Sequence, residues 1–306
     1  DGAVLRGRGR LGQTARMNAW RAGLWAMLTP YLVGTLLLVG LPALMSGVLA
    51  FTAYDALTPP VYVGFANFRL LAADPIVGQA IGNSLLFIAL AVPLRILGAL
   101  ALAMLLLRPR RGATGYRAAV YVPTVIPDVA YALIWLWILN PVFGPVNVAL
   151  EALGLPTPGW LADAETARFP FVIMAAFQIG EGFVVLLAAL RGLSPEVFAA
   201  GAVDGAGRWA AFRYLTLPLL LPWLALLTFR DIVLSLQWTF TPSFVMTGGD
   251  PYYATMFLPL LTYEEAFDRF RFGAGSALML LTFVASVAII GGIYLLFRRR
   301  GYVADV

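Results

Sequence analysis

Long uncharged apolar blocks alternate along this chain with short connections marked by Gly, Pro and charged residues. About 20 consecutive apolar residues span a bilayer as a helix. Six blocks reach that length, at 25–54, 81–107, 118–140, 169–190, 219–245 and 272–297. The pattern predicts an all-α integral membrane protein of six transmembrane helices. A basic arm at 1–24 precedes them and a short tail at 298–306 follows. The first block is too long for the apolar core of a signal peptide and lacks a clear small-residue cleavage site, so it reads as a span. No internal repeat is visible, and no connection has room for a soluble domain.

One connection differs from the rest. Residues 194–218, SPEVFAAGAVDGAGRWAAFRYLTLP, are helical in character yet flecked with polar residues. Ser194 is placed to cap a helix whose first position is Pro195. Gly205 and Gly207 interrupt it, and an amphipathic run then leads to Leu217-Pro218. This predicts a short helix, a Gly break and a second helix feeding the next span. Such a helix can lie along the membrane and offer Leu193, Val197 and Phe198 to a partner's groove. Packing against lipid headgroups is the equal alternative on spacing alone.

Charge then sets the orientation. All 21 basic residues are Arg. They gather in the first arm, around 108–117, around 191–213 and at 298–300, while Arg69, Arg168, Arg269 and Arg271 lie on the other side. By the positive-inside rule both termini are cytoplasmic, and so is 194–218. The same clustering at block ends favours membrane topology over nucleic-acid binding as the reason for the basic balance.

Composition narrows the chemistry. Only 12% of residues are charged and 61% are hydrophobic, against about 25% charged in a soluble domain. Cys and His are absent, which removes disulfides, thiol nucleophiles, imidazole acid–base work and most zinc or haem ligation. No catalytic residues, metal ligands or cofactors are expected. With no G-x-x-x-x-G-K-[ST] loop, an energised function must borrow its nucleotide site from another subunit.

Charged residues inside the blocks are few, namely Arg95, Asp128, Glu181, Arg230 and Asp231, and Gln178, Ser235, Gln237 and Thr239 are polar residues of interest beside them. Charge in hydrocarbon is costly and faces a protein interior or a cavity. Gln178 and Glu181 stand at i, i+3 and share one helical face. Arg230 and Asp231 are adjacent, about 100° apart on a helix, so each is expected to find a partner on another helix rather than in its neighbour. Arg95 is expected to pair with Asp231 or Glu181. Trp135, Trp137, Trp160 and Tyr252 read as interfacial aromatics.

The 194–218 stretch resembles the EAA signature of ABC importer permeases: Glu-Ala-Ala, three residues, Gly, nine residues, Ile-x-Leu-Pro. It runs here as Ala199-Ala200-Gly201, Ala202-Val203-Asp204, Gly205, nine residues and Leu215-Thr216-Leu217-Pro218. The signature's Glu is Ala199 and its second Ala is Gly201. Glu196, one turn earlier, is the nearest substitute. Val63-Gly64-Phe65-Ala66-Asn67-Phe68 is similar to the family's FVGLENF, Tyr121 to Pro127 to its FLPxxIP, and Ile134 to Gly144 to its WxWLFNPxxG. Trp160-Leu161-Ala162-Asp163 and Thr247 to Pro251 have counterparts too. Together these identify the chain, over 25–300, as similar to carbohydrate-uptake permeases of the maltose- and glycerol-phosphate-transporter type.

The resemblance implies a sugar-translocating subunit of a prokaryotic cytoplasmic membrane. It implies a coupling helix between the fourth and fifth spans that contacts an ATPase through Glu196, Phe198, Ala199, Ala200, Gly201, Asp204, Gly205 and Ala206. The implied partners are a second homologous permease, two cytoplasmic ATP-binding subunits, an extracytoplasmic solute-binding protein and membrane lipid. Glu181, Gln178, Ser235, Gln237, Thr239 and Asp128 are implied to line the substrate pathway, with Phe177 or Trp238 available to stack on a sugar ring. For Ser235, Thr239 and Gln178, hydrogen bonding between helices is the equal reading. Import of glycerol phosphate or a polyol is the near alternative. An ATPase-independent channel or secondary transporter, and a membrane enzyme resting on carboxylates alone, stand further off.

Overall fold

The computed structural model describes residues 20–108 and 111–299, with side chains to residue 295. Most of the expected basic arm and all but the start of the tail lie outside the described residues. Four helices are long and apolar enough to cross a membrane: α1 (Trp20–Leu49), α3 (Pro75–Leu105), α10 (Arg208–Met246) and α12 (Phe272–Arg299). Two bent pairs bring the number to six if each pair is one span. The first is α4 (Ala113–Tyr121, running on as a 3-10 turn to Val125) with α5 (Asp128–Ile138), bent by 102°. The second is α7 (Phe169–Phe177) with α8 (Gly180–Arg191), bent by 44°.

The shorter elements are α2 (Ala66–Ala73), α6 (Pro145–Ala152), α9 (Pro195–Val203) and α11 (Leu258–Tyr263). Strands β1 (Thr52–Ala53) and β2 (Val61–Tyr62) pair antiparallel, Thr52 opposite Tyr62. The chain is mostly helical apart from this short ladder, but neither 118–140 nor 169–190 is one continuous helix. Pro127 lacks a backbone N–H and holds the residue before it extended, and Ile126 has ψ 129°, so the helix stops there.

The core is built around α3, the most enclosed of the uninterrupted helices beside α10. Its inner half packs Ala99, Leu100 and Ala103 on Phe183, Leu186, Leu187 and Leu190 of α8 and on Leu220 and Leu227 of α10. The small Ala side chains let the helices approach closely, which is how helices pack where lipid removes the hydrophobic drive. Toward the other end, Phe87 and Ala91 of α3 meet Phe171, Val172 and Ala175 of α7 and Phe257. Polar clamps fix the loop before α11: Asn83 Nδ2 donates to the carbonyls of Tyr253 and Met256, both at 2.9 Å, and Ser84 Oγ accepts from Leu258 N–H at 3.0 Å.

The VGFANF motif has a structural job. Asn67 Nδ2 donates to the carbonyls of Ala50 and Thr52, each at 2.9 Å, tying the end of α1 to α2. An Asn67→Ala chain leaves both carbonyls without that donor, so it is expected to lose about 1–3 kcal/mol. Thermal unfolding of the purified protein reads this. Nearby, Asp55 accepts from the backbone N–H and hydroxyl of Thr58 and from Leu57 N–H, which holds its carboxyl below the usual carboxylate range. That turn therefore keeps its contacts at neutral pH and loses them only as pH falls through the lowered value.

Candidate functional site: a charged cavity at the helix breaks

The two helix breaks meet at one place. Gln178 ends α7 with ψ 47° and Ile179 precedes α8, so the helix is interrupted just before Glu181. A Cβ added to Gly180 would lie 2.9 Å from both Thr124 Oγ1 and Tyr121 Cα. Only Gly lets α8 begin this close to the 3-10 turn. Irregular backbone at membrane depth survives where it is buried in protein or lines a cavity, and a cavity is what lies here. It holds about 350 Å³ and is walled by Thr124 and Asp128, by Gln178 and Glu181, by Arg95, and by Arg230, Leu234, Gln237 and Trp238.

A chain of alternating charges crosses its wall. Arg95 on α3 meets Asp231 on α10, Nε to Oδ2 at 3.5 Å, with only 13% and 6% of the side chains exposed. Arg230 Nη1 reaches the other oxygen of Asp231 at 3.2 Å, and its Nη2 pairs with Glu181 on α8. Arg95 Nη2 also donates to the Gln178 carbonyl at 3.5 Å, a group the helix break leaves free. The network thus joins three helices and supports the break itself. Removing any one of the four charges leaves another short of its counter-ion.

Four of the six expected pathway residues come together here: Asp128, Gln178, Glu181 and Gln237. Gln178 and Glu181 share the cavity because of the helix break between them, not because they lie one turn apart on an intact helix. Ser235 and Thr239, each 1% exposed, do not line it. With Asp231 they form the stripe of α10 adjacent to Arg230, Leu234 and Trp238, and their hydroxyls have no protein partner among the described residues. Trp238 lies at the wall, stacked on Phe87 at 5.8 Å. Phe177 is instead edge-on to Trp135 at 5.2 Å.

Arg230 and Asp231 each find the partner expected on another helix, Glu181 on α8 and Arg95 on α3, and against expectation they also pair with one another. The long guanidinium stem reaches round the 100° between neighbours. Arg95 meets Asp231 as anticipated, but its place in the cavity wall, like that of Arg230 and Thr124, was missed. The signal available for the two Arg was their position, each inside an apolar block where a charge needs a partner. Trp160, read as an interfacial aromatic, has a partner as well. Its Nε1 donates to Asn147 Oδ1 at 2.6 Å, and Asn147 Nδ2 holds the Pro141 and Pro158 carbonyls at 3.0 and 3.1 Å.

The 194–218 stretch folds as its residues direct. Ser194 Oγ accepts from Glu196 N–H at 3.2 Å and starts α9. Gly205, at φ 80°, ends it. Gly205 N–H bonds to the Ala202 carbonyl at 3.1 Å and Ala206 N–H to the Gly201 carbonyl at 2.9 Å. These are the two bonds of a Schellman motif, with Gly in its left-handed position. The departure at Gly201 has a packing reason, since a Cβ there would lie 2.8 Å from Leu215 Cδ1. Glu196, Ala199, Ala200, Asp204 and Gly205 are exposed, and Phe198, Gly201 and Ala206 half-buried. Leu193 packs on the α3–α8–α10 core and is not on offer to a partner. Val203, Trp209 and Tyr214 are the most exposed large apolar side chains of the stretch, and Val197 is exposed as expected.

Apolar helices of spanning length around a charged cavity define a multi-pass membrane protein. The chain belongs to the family of binding-protein-dependent transport system inner membrane components, whose model matches residues 95–301. It is 31% identical over 273 residues to a probable ABC transporter permease of Pyrococcus horikoshii, covering 85% of this chain and 91% of that one. A probable ABC transporter permease of Bacillus subtilis is 29% identical over 288 residues, 91% and 90% of the two chains. A lactose transport system permease of Rhizobium radiobacter is 29% identical over 241 residues, 75% and 79%. In fold, the chain matches one in the crystal structure of a bacterial ABC transporter involved in alginate import, with a TM-score of 0.79 at 23% identity, over 95% of this chain and 99% of the other.

Proposed function

We propose that this chain is a permease subunit through which an ATP-driven importer passes a sugar across the cytoplasmic membrane. The observation that carries the reading is the polar cavity at the meeting of two broken helices, where Glu181, Gln178, Gln237 and Asp128 face a common space. Hydroxyl-rich solutes need donors and acceptors of this kind. Helix breaks at membrane depth are where transporters place such sites. Relatives named for starch degradation products, lactose and diacetylchitobiose support the carbohydrate class.

The arrangement in the membrane is six spans with both termini cytoplasmic. Residues 1–24 form a cytoplasmic arm, 25–297 the permease domain and 298–306 a tail, with 192–218 as the coupling loop. The helix Pro195–Val203 docks on an ATPase subunit through Glu196, Phe198, Ala199, Ala200 and Gly201, and Asp204-Gly205-Ala206 fixes its exit. A second permease closes the pathway, with Ser235 and Thr239 entering it as the helices move. Two ATPase subunits drive the cycle, and an external solute-binding protein delivers the sugar. The exposed apolar face of α1, of which Leu36, Leu38 and Leu44 are part, supports contact with lipid or the second permease.

The test is uptake in a cell that carries the chain. Loss of the chain, with its neighbours intact, is expected to abolish uptake of one sugar, and ATP depletion to do the same. Uptake that persists without ATP would instead make the chain a channel or secondary transporter. Loss of glycerol phosphate uptake alone would move the substrate to that class.

A further inference from the structure

Two guanidiniums, Arg95 and Arg230, and two carboxylates, Asp128 and Glu181, line the cavity, and a third carboxylate, Asp231, stands behind Arg95. Arg95 and Asp231 satisfy each other inside the protein, at 13% and 6% exposure, and present little to a solute. Arg230 and Glu181, at 35% and 51%, are open to the space and cancel one another. Asp128 also lines the space, is exposed, and has no ion-pair partner among the described residues. With Asp231 neutralising Arg95 from behind, the five charges at this wall sum to one negative when the carboxylates are ionised.

We infer that the cavity selects uncharged polyhydroxyl solutes over anionic ones, and that Glu181 is the residue that turns sugar acids away. This rests on the reading of the cavity as the sugar path. An uncharged sugar can use both members of the Arg230–Glu181 pair at once, its oxygens accepting from the guanidinium and its hydroxyls donating to the carboxylate. A uronate can gain a guanidinium only by displacing Glu181 from Arg230. That leaves Glu181 without its counter-ion and brings a second negative charge beside Asp128. Charges a few ångströms apart are poorly screened in such a space, so the exchange is unfavourable twice over.

Glu181→Gln keeps the length and an acceptor oxygen but removes the competing charge, so the Nη2 side of Arg230 is released for a carboxylate from the solute while Nη1 stays with Asp231. Asp128→Asn removes the carboxylate that has no counter-ion among the described residues, at an exposed position that supports no network. Each change moves the wall by one unit, and each is expected to raise the affinity for uronates relative to uncharged sugars about tenfold or more.

The experiment measures equilibrium binding to the transporter complex purified with its partner subunits in lipid nanodiscs. The probes are two matched pools, uncharged di- and trisaccharides and the corresponding uronates. Wild-type complex is expected to hold a member of the uncharged pool and to discriminate against the uronates. The uronate-to-uncharged ratio should rise in either variant and return with Glu181→Asp. Wild-type complex that holds uronates as tightly, or a ratio unmoved in both variants, overturns the inference and leaves the sugar path standing. A complex that holds nothing from either pool overturns the sugar path itself.

Discussion

Asp231→Ala is expected to destabilise the protein by about 3–5 kcal/mol, the cost of breaking a buried ion pair from one side. Asp231 is 4% exposed and is shared by two guanidiniums. Without it Arg95 keeps a charge inside the protein with only the Gln178 carbonyl to meet it. That loss is a large part of a total stability of about 5–15 kcal/mol. Thermal unfolding in detergent, followed by the loss of monodisperse protein on heating, reads it. Asp231→Asn, which keeps an acceptor oxygen, should fall between. Joint replacement of Arg95 and Asp231 by Met and Leu should recover most of the loss, because two apolar side chains leave no charge to desolvate. Wild-type stability in Asp231→Ala would mean that the carboxylate does not hold Arg95.

Gly205→Val is expected to separate ATP hydrolysis from uptake. At φ 80° an L-residue is strained by about 1–2 kcal/mol, and a β-branched one by more. The Schellman bonds from Gly205 and Ala206 back into the Pro195–Val203 helix depend on that backbone. When the turn shifts, the short helix no longer sits at a set angle to α10, so a push on one is not delivered to the other. No atom lies within 4 Å of an added Cβ at Gly205, so the effect is one of backbone rather than crowding. In the assembled transporter, uptake should fall at least tenfold while hydrolysis continues. Gly205→Asn, which tolerates the left-handed region, should retain more uptake. Full uptake in the Val variant would remove the coupling role from this turn.

Local patterns carried much of this. The apolar blocks announced the long helices, because the length needed to span a bilayer is a property of consecutive residues. Ser194-Pro195 and Gly205 marked the ends of the Pro195–Val203 helix, because capping and left-handed turns are decided within a few residues. Asn67, picked out as part of a motif, turned out to secure the end of α1. Where local signals were weaker, the reading slipped. Residues 145–152 lie inside a Pro-rich connection and nonetheless form a helix, with Pro145 at its first turn.

The site is legible only in half. Charge and polarity inside apolar blocks picked out six pathway candidates, of which Asp128, Gln178, Glu181 and Gln237 do share a cavity. The sequence by itself determined that this is a helical membrane protein with a short helix before its fifth apolar block and a few costly charges inside those blocks. Only the tertiary structure decided how those charges are spent. Arg95 and Asp231 are 136 positions apart and Glu181 and Arg230 are 49 apart, and no helical period reaches over such separations. The short helix before α10 belongs to the first kind of knowledge. The four-charge chain belongs to the second, because pairing depends on which helices the fold sets side by side.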